Sequence, residues 1–157
     1  MQRRNFIKSS AILALTITSC AKTNNYFWTT IENAQNILMP KSKFGPSAKE
    51  LQSTKYLKNV SIHSSFDSRD IRVLKQGVKY LYEKNFNVLP KSKKEKLLNN
   101  FSQSGLGSQW VSLMLYYTIE STFCDPIYGG NTNQIGWNWV NHPVGYPRPK
   151  KTFGNVA

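Results

Sequence analysis

The sequence predicts an all-α protein, a small bundle of about five helices with an irregular C-terminal tail. Three observations predict it. Apolar residues recur at helical spacing through most of residues 26–124. Capping boxes and single Asp or Ser starts punctuate those runs. A length of 157 residues, 39% hydrophobic and 13% aromatic, suits one packed core and leaves no room for several domains.

The elements follow in order. Residues 26–38 carry Phe27, Trp28, Ile31, Ala34, Ile37 and Leu38 near helical spacing, and Met39-Pro40 stops that helix. Lys41 to Pro46 is a turn-rich loop. Ser47-Ala48-Lys49-Glu50 is a capping box, in which Ser47 accepts from a free backbone N–H and Glu50 reaches back. It opens a helix to about Lys58 with Leu51, Tyr56 and Leu57. Residues 60–66 read as loop or as a short extended piece. Asp67 is an N-cap. The helix after it sets Ile71, Leu74, Val78, Leu81 and Tyr82 on one stripe, with Arg72, Lys75, Lys79 and Glu83 elsewhere. Leu89-Pro90 ends the unit. Ser92-Lys93-Lys94-Glu95 is a second capping box, starting a helix with Leu97, Leu98 and Phe101. Gly105 and Gly107 break the chain, and Ser108 caps the last helix, to residue 124.

That last helix has two apolar stripes: Trp110, Leu113, Met114 and Tyr117, and Val111, Leu115, Ile119 and Phe123. A helix apolar on two sides must be covered on two sides. Either it is central to the domain or one face meets another protein. From Asp125 the periodicity ends and Gly and Pro become dense, so residues 125–157 form an ordered loop or a tail that wraps a partner.

The N-terminus begins with Arg3-Arg4, Phe6 and Lys8, and a short apolar run, Ala11 to Thr18, follows. The run is too short to cross a hydrocarbon core, which needs roughly 20 apolar residues. A basic start, a short apolar segment and small residues describe an export signal. The pair Arg3-Arg4 with Phe6 resembles a twin-arginine signal, although Gln2 stands where Ser or Thr is usual. Ile17-Thr18-Ser19-Cys20 resembles a lipoprotein cleavage box with Cys20 as the lipidated residue. The layout is then a signal at 1–19, a tether at 20–25, a helical domain at 26–124 and the tail at 125–157.

Lys and Arg number 21 against 8 Asp and Glu, a formal charge of +13. Removing residues 1–19 takes away three of those cations and no acid, leaving +10. The excess points to an anionic membrane, an acidic partner or a solvated surface. Nucleic acid is disfavoured by export, and by aromatics that are not interleaved with the Lys-rich segments Lys41-Ser42-Lys43, Lys91 to Lys96 and Arg148 to Lys151. Two His and two Cys leave little material for a metal site, and none is expected. No spacing brings His63 or His142 beside a nucleophile, no carboxylate pair is suggested, and no nucleotide-binding glycine motif or CxxCH is present, so no catalytic residue is expected. With Cys20 lipidated, Cys124 has no intrachain partner. It is then either buried or used in an intersubunit disulfide.

The strongest local feature is Phe123-Cys124-Asp125-Pro126-Ile127-Tyr128-Gly129-Gly130-Asn131, followed by Gly136-Trp137 and Gly145-Tyr146-Pro147. It reads as a helix stop and a rigid reversal, with two glycines for close approach or positive φ and Asn131 bonding the turn backbone. Trp137, Trp139 and Tyr146 add flat surfaces of the kind that anchor interfaces. This pattern resembles the gluconate 2-dehydrogenase subunit 3 family, the small subunit of membrane-associated sugar and gluconate dehydrogenases. Ile37-Leu38-Met39-Pro40, Gly45-Pro46-Ser47-Ala48, Leu89-Pro90 and Leu97-Leu98 extend the resemblance over most of the exported chain. The tail departs from the family's spacing where Asn138 to Pro143 intervene.

The resemblance implies a non-catalytic accessory subunit, periplasmic and membrane-associated through a lipid anchor or through its partner. It implies a large catalytic subunit that holds FAD, a multi-haem cytochrome c subunit as the electron exit, and passage of the folded catalytic subunit through the twin-arginine translocase on this chain's signal. No cofactor is expected on this chain itself. The residues expected at the partner interface are Trp110, Tyr117, Asp125, Pro126, Tyr128, Gly129, Gly130, Asn131, Trp137, Tyr146 and Pro147, with Cys124 available for a bridge. The competing expectation is a standalone basic lipoprotein that binds an anionic envelope component.

Overall fold

A computed structural model describes residues 25–150. The signal with Arg3, Arg4 and Phe6, the lipidation candidate Cys20 and the last seven residues lie outside the described residues. Among the described residues the chain is all-α, with seven α-helices, three short 3₁₀ turns and no strand. Helix α1 covers residues 25–38 and buries Ile31 and Ala34; the expected tether is already helical at Asn25. Its end is where Met39-Pro40 places it.

Helix α2 (Ala48–Leu51) opens on the expected capping box: Ser47 Oγ accepts from the Glu50 N–H, and the Glu50 carboxylate accepts from the Ser47 N–H at 2.9 Å. The helix expected to run on to Lys58 is instead cut at Gln52, which is left-handed at φ 57°, and α3 (Ser53–Val60) restarts after it. Leu51 and Ser53 are both fully buried. Two residues apart on one helix they would point roughly 200° away from each other, so the break at Gln52 is what turns both inward.

Helix α4 (Ser68–Glu83) is capped by Asp67, whose Oδ1 accepts from the Arg69 N–H at 2.7 Å. Its buried residues are Leu74, Gly77, Val78 and Leu81. Tyr82, read as part of that stripe, is exposed and stands edge-on to the Tyr26 ring. A 3₁₀ turn, Phe86–Val88, leads to α5 (Lys91–Ser102). The second capping box does not form. Pro90, with φ fixed at −64°, takes the N-cap position and starts the helix at Lys91. Ser92 is thereby drawn into the first turn, and Glu95 pairs instead with Lys91.

Helix α6 (Gly105–Phe123) begins earlier than expected, with Ser104 as cap in place of Ser108. Ser104 Oγ accepts from the Gly107 N–H at 3.0 Å. Gly105 and Gly107 lie within the first helical turn. A Cβ on Gly107 would fall 1.8 Å from the Phe101 carbonyl oxygen. The glycine therefore lets α6 start hard against the end of α5, where the sequence reading placed a chain break.

Helix α6 is the spine of the domain, packed by α2, α3, α4, α5 and α7. Trp110 is fully buried, donates from Nε1 to the Leu74 carbonyl at 3.2 Å and lies so close over Gly77 that no Cβ fits there. Phe86, Leu57, Leu81, Phe101 and Met114 complete the core around it. Toward its C-terminal end the inner face turns polar. Thr118, Ser121 and Thr122 are buried and return their hydroxyls to α6's own carbonyls, at 2.7 to 3.0 Å. Ser121 Oγ also meets Ser53 Oγ of α3 at 2.6 Å.

Candidate functional site

The reversal after α6 is built from within. Asp125 caps the 3₁₀ turn Pro126–Tyr128 through the Ile127 N–H, 3.0 Å from its Oδ1. Gly129 takes φ 91°, which an L side chain rarely adopts. Gly130 is buried against Ser121 and Cys124. Asn131, fully buried, donates from Nδ2 to the Cys124 carbonyl at 3.0 Å and accepts from the Gly136 N–H at 2.8 Å. It thus ties the stop of α6 to the start of α7 (Ile135–Trp139). From α3, Asn59 donates to the Tyr128 carbonyl at 3.1 Å.

Trp137 is 7% exposed and donates from Nε1 to the Phe123 carbonyl at 2.9 Å. Over its ring, 4.6 Å from the centroid, lies the Arg148 guanidinium, which also pairs with Asp125 at 3.0 Å. Both members of that ion pair are largely covered. In the sequence Arg148 is the first residue of the Lys-rich segment Arg148 to Lys151. Here it closes the tail onto the reversal, with a cation–π contact and a charge-assisted hydrogen bond acting together.

The residues expected at a partner interface therefore divide. Trp110 is a core residue with no exposed surface in this chain: a large indole with a backbone partner is most stable inside. Asn131, Gly129, Gly130 and Trp137 are also buried within the chain, where they shape the reversal. Tyr117 is 6% exposed, and its hydroxyl donates to Asp70 Oδ2 at 2.7 Å. Asp125, Pro126 and Tyr128 are half-buried, whereas Tyr146 and Pro147 are exposed. Cys124 is half-buried, and burial pushes its thiol up to about 12.

What the protein does leave open is the outer face of α6. Leu115, Tyr116, Ile119 and Phe123 are 37%, 58%, 54% and 46% exposed. Phe123 stacks on Trp139, itself 46% exposed, which carries the apolar strip onto α7. Helix α6 is thus central to the domain; of its second stripe Val111 packs on the core, and Leu115, Ile119 and Phe123 are exposed.

Beside that strip, between α6 and α3, runs a cleft of about 580 Å³. Tyr56, Tyr116 and Tyr117 wall it, and Asp70 and Glu120 lie along it. A second hollow of about 400 Å³, bordered by Phe123, Cys124 and Asp125, shares Tyr56, Val60, Glu120 and Tyr128 with the first. The two form one groove. Burial, with a hydrogen bond to Glu120, pushes the Tyr56 phenol well above its ordinary range; burial, with the bond to Asp70, does the same to Tyr117. Both phenols therefore stay protonated, and that of Tyr117 donates to Asp70. Asp67, also on the cleft, is engaged by Arg69 at 2.8 Å, and the Arg69 charge acts on Asp70 as well. The sequence reading missed this groove. Its residues come from α3, α4 and α6, the connection between α3 and α4, and the turn after α6, and only the second stripe of α6 signalled that anything lay there.

Among the described residues no group of His, Cys, Asp and Glu is placed to hold a metal ion. Nor is any helix among them long and apolar enough to cross a membrane. Residues 26–144 match the family model described as gluconate 2-dehydrogenase subunit 3. No curated protein and no solved structure matches the chain.

Proposed function

The chain belongs to the gluconate 2-dehydrogenase subunit 3 family, and from that premise we propose that it is the non-catalytic small subunit of a membrane-associated, FAD-dependent dehydrogenase. It exports and stabilises the large catalytic subunit. The flavin, and any haem of a cytochrome subunit, belong to the partner chains. The single observation that carries this reading is the uncovered apolar strip from Leu115 to Trp139 on a chain of high positive charge. A contiguous apolar strip of large side chains is costly in water and marks a surface made to be covered. An oxidoreductase subunit that must bind FAD before export needs a route for folded cargo. Arg3 and Arg4 supply the address for such a route, and Cys20 supplies a lipid anchor on the far side.

The protein isolated from its native membrane should bring with it a large yellow subunit. A colourless monomer would overturn the reading in favour of a standalone lipoprotein. Replacing Arg3→Lys and Arg4→Lys together should leave both subunits in the cytoplasm, measured by fractionation. Continued export of the pair would show that the large subunit travels on another signal.

A further inference from the structure

We propose that the groove between α3 and α6 is the docking site for an arginine-bearing, otherwise apolar segment of the large subunit, with Asp70 and Glu120 receiving the guanidinium. The inference rests on the accessory-subunit reading and names what that surface recognises. Three observations support it. The groove meets the uncovered strip at Tyr116 and, through the second hollow, at Phe123, so an occupant contacts both. Its carboxylates, Asp70 and Glu120, are half-buried along the groove wall, and the Tyr117 hydroxyl orients Asp70 at 2.7 Å. Its walls are aromatic, and flat aromatic walls with carboxylates suit the planar guanidinium better than a compact ammonium.

Charge selects the partner. The chain carries +13, so a second copy brings like charge to the encounter, whereas this groove is a local inversion of sign. A large subunit whose surface is acidic around one protruding arginine complements both the groove and its surroundings.

The test uses the full chain co-expressed with the large subunit. The pair Asp70→Asn with Glu120→Gln keeps size and hydrogen bonding and removes the charge. It should raise the Kd between the subunits about tenfold or more and flatten its salt dependence, while the control Glu83→Gln, on the outside of α4, leaves both unchanged. Ile119→Lys, at an exposed site that asks nothing of the fold, should weaken the complex in the same direction. The photo-crosslinker p-benzoylphenylalanine at position 116 should attach to a large-subunit segment that contains an arginine. Wild-type affinity in the double variant would overturn the proposal, as would a crosslink to a second copy or to a segment without arginine. In those cases the complex still forms and the accessory reading stands. If no large subunit binds at all, both fall.

Discussion

Asn131 carries more of the tail than its size suggests. Its amide satisfies a carbonyl at the end of α6 and an N–H at the start of α7, both in the interior. Asn131→Ala would orphan both, and should cost about 2–4 kcal/mol, read as a lowered denaturant midpoint. The sequence shows this residue as a turn former, because Asn after two glycines is a local signal. It does not show Arg148 as the clamp. Arg148 acts on Asp125, 23 positions away, and on the Trp137 ring, and no local pattern encodes a contact made only when the tail folds back. The same applies to Trp110: its periodicity put it on an apolar stripe, but only the pairing with Leu74 and Gly77 fixes that stripe as interior.

Helix α6 has one face for the fold and one for something else, and the two should respond differently to truncation. Met114 is fully buried on the inner face, so Met114→Ala should cost about 2–5 kcal/mol by cavity formation. Ile119 is on the outer face, so Ile119→Ser should shift stability by no more than about 0.5 kcal/mol. Thermal unfolding of the two variants decides between this picture and one in which α6 is covered all round; in the latter both would be strongly destabilised. The helices of the domain were legible because their apolar spacing is regular. Their starts were less so. Ser92 and Ser108 look like caps, but Pro90 and Ser104 take those places for steric reasons, the fixed proline φ and the tight approach of α6 to α5. The inner face of α6 beyond Tyr117 was invisible to hydrophobic patterning, because it is made of threonine and serine.

As a whole, the molecule is a strongly basic helical domain whose few acids are placed with care, and acid is the stress that should expose this. The Ser47 N–H and hydroxyl, with Lys41 beside them, hold the Glu50 carboxyl down at about 2; the Arg69 side chain and N–H hold Asp67 below its ordinary range. A folded-state value below the unfolded one means that the contribution of Glu50 is fully present above about pH 4.5 and is lost as pH falls through about 2. Both groups are exposed, so salt screens the effect. The thermal midpoint should therefore fall across that window as further positive charge accumulates, and Glu50→Gln should flatten the fall. An unchanged pH profile in the variant would show that the α2 cap contributes nothing to acid stability. The strip that awaits a partner is assembled from pieces far apart in the chain: Tyr116 and Ile119 lie on α6, and Trp139 reaches Phe123 only after the Asn131 reversal closes under the Arg148 clamp. A nascent chain still held on the ribosome short of residue 148 cannot present it complete. Any partner that reads the whole strip thus meets a finished subunit, and the order of synthesis becomes a checkpoint on the order of assembly.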